Sequence, residues 1–224
     1  MTAPVPTTSG DRRPLASRDT TLARRASEWL IARSVAPNAI SAAGMFAGIA
    51  AGALLAATAW WPDGARACWF AAALLVQARL VCNLLDGMVA IGSGTTSPVG
   101  ELWNEVPDRV SDSAILIGLG FAAGGEPWLG FVAASFAMAT AYVRALGRAA
   151  GTGSDFRGPM AKPQRMFAVT LVALFLAVAP PTWWPADLGA GLPAVALAVI
   201  AAGAAWTAVR RLRTIAQRLR GGVR

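Results

Sequence analysis

The chain is 224 residues long, 55% hydrophobic and only 14% charged, with a mean hydropathy of +0.50, whereas a soluble globular chain carries about 25% charged residues. A water-soluble core of this size cannot hide so much Ala, Leu and Val, which excludes disorder, a disulfide scaffold and an ordinary cytosolic enzyme as descriptions of the whole chain and leaves the bilayer as the solvent. A net charge of +8 and a pI near 11.3 would suggest nucleic acid in a soluble protein; here the charge follows membrane topology, and no nucleic-acid partner is expected.

Residues 1–20 are rich in Pro, Thr, Ser and Arg and read as a disordered cytosolic tail, with no apolar run of signal-peptide type. From Thr21 to Arg33, Leu22, Ala26, Trp29 and Leu30 share one helical face, which predicts a short helix lying in the membrane interface. Ala39 to Trp61 is uncharged and long enough to span, with Gly44, Gly48 and Gly52 at every fourth position. Small residues at that spacing let a second helix approach closely. Ala67 to Leu85 is a second span, interrupted by Arg79. A third begins before Ser113 and ends near Gly125; Pro127 to Val143, Met166 to about Ala179, and Leu188 to Val209 make the fourth, fifth and sixth. The expected fold is therefore all-α and polytopic: six transmembrane helices preceded by an interfacial helix over residues 21–209, followed by a basic cytosolic tail over 210–224.

Charge orients these spans. Arg12, Arg13, Arg18, Arg24, Arg25 and Arg33 precede the first; Arg144, Arg148, Arg157, Lys162 and Arg165 lie between the fourth and fifth; Arg210, Arg211, Arg213, Arg218, Arg220 and Arg224 end the chain, while the opposite loops hold only Arg66. This places both termini in the cytosol of an inner-membrane protein. Trp60, Trp61, Trp69, Trp128, Trp183 and Trp184 fall at the other side as an aromatic belt. Cys68 and Cys82 are separated by about 21 Å of helix, too far to bridge, and the chain has no His, so any general base is Asp, Glu or the substrate.

The third span carries the chemistry. Ser113 to Gly125 reaches only about 20 Å as a helix, short of a ~30 Å hydrocarbon core. The helix must extend backwards through Asp112, Asp108, Glu105 and Glu101, which puts ionisable groups at or within the membrane, where they are costly and mark function. Glu101, Asn104, Glu105, Asp108 and Asp112 fall on one stripe of this helix; Arg79, Asn83, Asp86 and Ala90 share a stripe of the second span. A link rich in Gly and Ser/Thr, with Gly92, Ser93, Gly94, Thr95 and Thr96, joins them. Two such stripes at one depth suggest an oxygen-rich pocket for a divalent cation bridging to a phosphate; a purely structural polar network is the competing reading. Because the second span runs inward and the third outward, Arg79 and Asp112 should meet one layer below the pocket as an ion pair.

These residues resemble the signature of the CDP-alcohol phosphotransferase family, D-x-x-D-G-x-x-A-R, eight residues, then G-x-x-x-D-x-x-x-D. The corresponding positions are Asn83, Asp86, Gly87, Ala90, Ile91, Gly100, Asn104 and Asp108, with the eight-residue gap intact from Gly92 to Val99. Pro37-Asn38, Tyr142-Val143-Arg144-Ala145 and the segment Gly158 to Arg165 resemble further family features, so the likeness covers Ser34 to Ala201. The resemblance implies a six-helix homodimer with a cytosolic cavity, where an acceptor hydroxyl displaces CMP from a CDP-linked lipid, with CDP-diacylglycerol suiting a membrane-embedded site. It implies two Mg²⁺ or Mn²⁺ ions at Asn83, Asp86, Asn104 and Asp108, with Asp108 as general base. Gly87, Ala90, Gly100, Arg144, Lys162 and Arg165 become substrate-binding candidates; Lys162 is the only lysine in the chain.

The sequence departs from the signature where charge matters most. Asn83 and Asn104 replace two aspartates and Ile91 the arginine, so the motif carboxylates supply −2 against the +4 of two ions unless Glu101 or Glu105 contributes. Three readings stay open: a phosphatidyltransferase of phospholipid synthesis, a degenerate member that binds nucleotide lipid or a partner without turnover, and a small transporter.

Overall fold

The computed structural model of the chain describes residues 20–95, 98–180, 183 and 191–221. Of the sequence expectations, those for residues 1–19, Thr96, Trp184, Leu188, Arg224 and the Glu101 side chain lie outside the described residues. Seven α-helices form among the described residues, with no strand: α1 (Thr21–Ala32), α2 (Pro37–Ala57), α3 (Ala65–Gly92) after a 3₁₀ turn at Pro62–Gly64, α4 (Pro98–Gly120), α5 (Pro127–Ala149), α6 (Lys162–Val178) and α7 (Leu192–Gly221).

Local chemistry sets the helix starts. The Thr20 hydroxyl accepts from the Ala23 N–H and caps α1. Prolines stand in the first turn of α2, α5 and α6, where a missing N–H costs nothing and φ is already helical. α3 stops where Gly94 takes φ +66°, a left-handed conformation that glycine adopts without strain. α4 does extend backwards through Asp112, Asp108 and Glu105, and it ends at Gly120, short of the expected Gly125. α7 runs on through the basic segment to Gly221, so residues 210–221 are helical.

Four of these helical stretches are long and apolar enough to cross a membrane: Pro37–Ala57, Pro62–Gly92, Pro127–Ala149 and Leu192–Gly221. α4 is long enough but carries the acids, and α6 has only 17 residues. Phe46, Phe70, Leu74, Phe131, Val199 and Trp206 stand exposed on the outside, an apolar jacket suited to lipid.

The helices form a ring. α2 packs on both α3 and α4, α4 on α5, α5 on α7, and α3 on α6, with a lighter α6–α7 contact closing the circle; α1 lies against α3. The core inside is apolar, built on Leu55, Trp69, Val76, Ile115, Leu119, Met166, Leu197 and Ile200. The glycine stripe of α2 makes its tightest approaches to α4: a Cβ on Gly48 would overlap Ser111, and one on Gly52 would overlap the Ala114 carbonyl. Gly44 faces Cys82 of α3, where a Cβ would come within 2.9 Å of the Cys82 Cβ. These near contacts wedge α2 between α3 and α4 and bring the two polar stripes together across its face.

Candidate active site

The cleft lies at the end of the bundle that carries the α3–α4 link. Ser41, Gly44 and Met45 of α2, Arg79, Asn83 and Asp86 of α3, and Asn104, Pro107, Asp108 and Ser111 of α4 line it.

The floor is ionic. The Arg79 side chain is 1% exposed. Its Nη2 donates to Asp112 Oδ1 at 2.6 Å and to Asp108 Oδ1 at 3.0 Å, and its Nε donates to Ser111 Oγ at 2.9 Å. The pair expected from helix direction is thus present, with Asp108 as a further partner. Asp112 is shared: its Oδ2 accepts from Arg165 Nη2 at 3.3 Å, and Arg165 also donates to the Met160 carbonyl at 3.0 Å. Such pairs bind α3, α4 and α6 together. Removing one member of a buried pair leaves an uncompensated charge, which typically costs ~3–5 kcal/mol.

The layer above holds the motif positions. Asn83 Nδ2 donates to Asn104 Oδ1 at 3.2 Å, joining the two stripes. Lys162 Nζ, from the first turn of α6, donates to Asn83 Oδ1 at 2.6 Å and also to Asp108 Oδ2. Arg109 Nη2 stands 3.7 Å from Asp108 Oδ2. Asp86, buried on the other side of the cleft, accepts from Ser41 Oγ at 2.8 Å and from the Gly87 N–H at 2.6 Å. Gly87 itself has open space where a Cβ would project. Ala90 lies one turn further along α3, half-buried, and Gly100 sits in the first turn of α4.

Arg144 and Arg165 do not line the cleft. Arg144 Nη2 pairs with Glu105 Oε1 at 2.5 Å and its guanidinium stacks over Phe156 at 5.5 Å. Arg165 is 1% exposed beneath it. In the loop that leads to α6, burial raises the Asp155 carboxyl, but hydrogen bonds from the Arg157 side chain and backbone, with the charges of Arg157 and Arg211, hold it below its ordinary 3.8. Arg211 in turn is buried, donating to the Thr140 and Arg157 carbonyls.

Sequence reasoning passed over Ser41, Ser111, Arg109 and Arg211. Arg109 carries a signal, being the one cation beside the motif aspartate. A lone Ser or Arg on an otherwise unremarkable helix face carries none.

The donor set does not fit a pair of divalent ions. Among the described residues no three His, Cys, Asp or Glu side chains stand close enough to hold a metal. Both Asp108 oxygens already face cations, and the Asn83 carbonyl is turned to the Lys162 ammonium. A hard dication needs several oxygens and net negative charge; here, among the described residues, Arg79, Lys162 and Arg165 are paired with Asp108 and Asp112, and Arg109 stands between Glu105 and Asp108.

A second concavity, about 380 Å³, is a groove on the outer face between α3 and α6, lined by Gln77, Leu80, Pro163, Gln164 and Phe167. It begins one residue from Lys162.

No protein-family model matches the chain. It is 29% identical over 193 residues to the phosphatidylinositol phosphate synthase of Streptomyces avermitilis, covering 84% of this chain and 75% of that one. It is 31% identical over 102 residues to the archaetidylinositol phosphate synthase of Aeropyrum pernix, covering 46% of this chain and 52% of that one. Crystal structures of the Mycobacterium tuberculosis phosphatidylinositol phosphate synthase share the fold. One with CDP-DAG bound has a TM-score of 0.70 at 22% identity, covering 88% of this chain and 94% of that one. Another, in complex with manganese and citrate, has a TM-score of 0.69 at 23% identity, covering 86% and 88%.

Proposed function

We propose that the chain is a member of the CDP-alcohol phosphotransferase family and that it transfers a phosphatidyl group from CDP-diacylglycerol to an acceptor hydroxyl with release of CMP, in phospholipid synthesis. The observation that carries this reading is the position of Asp108, which lines a polar cleft with Asp86, Asn83 and Asn104 of the family's spacing. The names of the relatives support a phosphorylated polyol of the inositol phosphate class as acceptor, and Arg144 and Arg148 in the last turns of α5, with Arg157 in the loop that follows, suit an anionic one.

In the proposed reaction Asp108 accepts the acceptor's proton as that oxygen bonds to the lipid-side phosphorus. The bond from this phosphorus to the bridging oxygen breaks, and CMP departs with the electron pair. Arg79, Lys162 and Arg109 offset the charge that builds on the pyrophosphate, the kind of clamping on which phosphoryl transfer depends. Asp86, held by Ser41 and the Gly87 N–H, orients the donor, whose close approach to the backbone is open at Gly87, with Ala90 and Gly100 as further contacts in this reading. Arg165 acts from below by fixing Asp112.

The same reading includes six spans, α4 and α6 among them, with α1 in the interface: Leu22 and Trp29 of α1 are exposed while Ala23 and Ser27 face the bundle. It places both termini and the cleft on the cytosolic side, and it includes the family's homodimer, to be checked by mass measurement in detergent.

The deciding experiment is CMP release from CDP-diacylglycerol, screened across acceptors with Mg²⁺, Mn²⁺ and a chelator. Asp108→Asn is expected to lower the rate at least ~10²-fold, the usual share of a general base, with an unchanged elution profile. Full activity in that variant refutes the role of Asp108. The engagement of both Asp108 oxygens by cations, with Asn at two signature positions, favours a second reading, in which the cleft binds nucleotide lipid without turnover. Donor binding with no CMP release from any acceptor would establish it.

A further inference from the structure

We infer that this protein carries the counter-charge for the donor's pyrophosphate in its own side chains. The Lys162 ammonium between Asn83 and Asp108, with Arg79 beneath it, takes the place of a divalent ion, and the cleft binds a nucleotide-linked pyrophosphate without a metal ion at that position. The inference rests on the proposed function only for the identity of the pyrophosphate.

Three observations carry it independently of one another. The first is the ammonium's seat. Lys162 Nζ donates at once to Asn83 Oδ1 at 2.6 Å and to Asp108 Oδ2, one oxygen from each polar stripe. A bridging cation of either kind would use those same two oxygens.

The second is the chemistry of the two asparagines. An amide oxygen is a good partner for an ammonium that already has a carboxylate, since it accepts a hydrogen bond without adding charge. It can also ligate a hard dication, but it cancels none of that ion's charge. The remaining amide groups close on one another, Asn83 Nδ2 to Asn104 Oδ1 at 3.2 Å, so both substituted positions are spent on holding Lys162 and the stripe-to-stripe contact.

The third is a donor without an acceptor. Arg79 is 1% exposed and lines the cleft, yet among the described residues its Nη1 has no hydrogen-bond partner. A buried guanidinium N–H left unmade is costly, and an anionic oxygen entering the cleft is the acceptor that would satisfy it. The groups facing the seat complete the balance. Among the described residues, from α3 come Arg79 and Asp86, from α4 Glu105, Asp108, Arg109 and Asp112, and from α6 Lys162 and Arg165, four cations to four carboxylates, with Glu105 turned to Arg109 and to Arg144. Asp108 and Asp112 already face cations, so a pyrophosphate entering the cleft meets Lys162 and Arg79 at that position.

The test has two arms on the purified full chain. In the first, Mn²⁺ alone is titrated by calorimetry and electron paramagnetic resonance, with no lipid present. The wild type is expected to bind Mn²⁺ at least tenfold more weakly than a variant combining Lys162→Gln, Asn83→Asp and Asn104→Asp. Tight uptake of two Mn²⁺ ions by the wild type overturns the inference, and that result needs no variant to fold. In the second arm, CDP-diacylglycerol binding is followed by thermal shift in excess chelator. Wild type and Lys162→Arg are expected to bind, and Lys162→Gln to lose at least tenfold in affinity. Wild-type binding that vanishes in chelator and returns with Mn²⁺ overturns the inference. Neither arm measures turnover. Absence of CMP release with every acceptor would defeat the transferase reading while leaving both arms to be read as they stand.

Discussion

Arg79, Asp112 and Arg165 form a chain of charge in which the middle member matters most. Arg79→Met leaves Asp112 paired with Arg165 and Asp108 paired with Lys162, so its cost belongs near the lower end of ~3–5 kcal/mol. Asp112→Asn leaves Arg165 without its carboxylate and Arg79 with Asp108 alone and is expected to cost more; equal or reversed midpoints in denaturation would contradict this ordering. Asp155 gives a pH prediction of opposite character. Its folded pKa lies below the unfolded 3.8, so the stability it contributes is complete above about pH 4 and is lost as pH falls through the folded value. Asp155→Asn should lower the melting temperature at pH 7, since the carboxylate that accepts from the Arg157 backbone and side chain is lost, and the gap to wild type should close in acid. A gap independent of pH would show that packing, not charge, anchors that loop. The Arg79–Asp112 pair was legible in the sequence because opposite helix directions fix which residues share a depth. The partners of Lys162 were not, since nothing in a linear sequence tells where the first turn of α6 comes to rest against α3 and α4.

Helix α2 works as a spacer whose thickness is set by glycine. Gly52→Val would drive a branched side chain into the Ala114 backbone; overpacking of this kind costs ~1–3 kcal/mol or more. The same change would also push α4 outward, and the cleft with it. Gly87→Ala makes a useful contrast. It meets nothing within 4 Å and removes a mid-helix glycine, worth about 0.5–1 kcal/mol of added stability. If ligand backbone or phosphate occupies that space, the variant should melt higher and bind CDP-diacylglycerol more weakly. Unchanged binding would show that Gly87 is not in the substrate's path. The glycine spacing announced a close helix neighbour, but it did not say that α4 would be the closest. The starts of α1 at Thr21 and α5 at Pro127 were legible, whereas α2 and α6 begin before the expected Ala39 and Met166, at Pro37 and Lys162, and the end of α7 was not legible, because the basic segment lacks the apolar pattern that marks a span yet stays helical to Gly221.

At the scale of the molecule, four helices among the described residues qualify as membrane spans by length and apolarity, and the proposed six-span topology adds α4 and α6. A cysteine at Asp63 or Trp183 should react with a membrane-impermeant maleimide in intact cells, and one at Thr95 or Arg213 only after permeabilisation, in a background with Cys68 and Cys82 replaced. Labelling of Asp63 and Thr95 from the same side would eliminate α3 as a full crossing. The apolar class and the chain order of the helices were legible from composition. Their cyclic order was not, because α2 touching both α3 and α4 while α6 leans on α3 depends on side-chain volumes at many contacts together. The groove between α3 and α6 gives this ring a further property. Its lining runs from Phe167 and Leu80 to Pro163, next to the ammonium that faces the cleft, so an acyl chain lying there would hold its headgroup at the charged layer without leaving the bilayer. Encounter would then be two-dimensional. The rate would follow the mole fraction of donor in the surface, falling as inert lipid dilutes it and staying level when surface and donor are increased together.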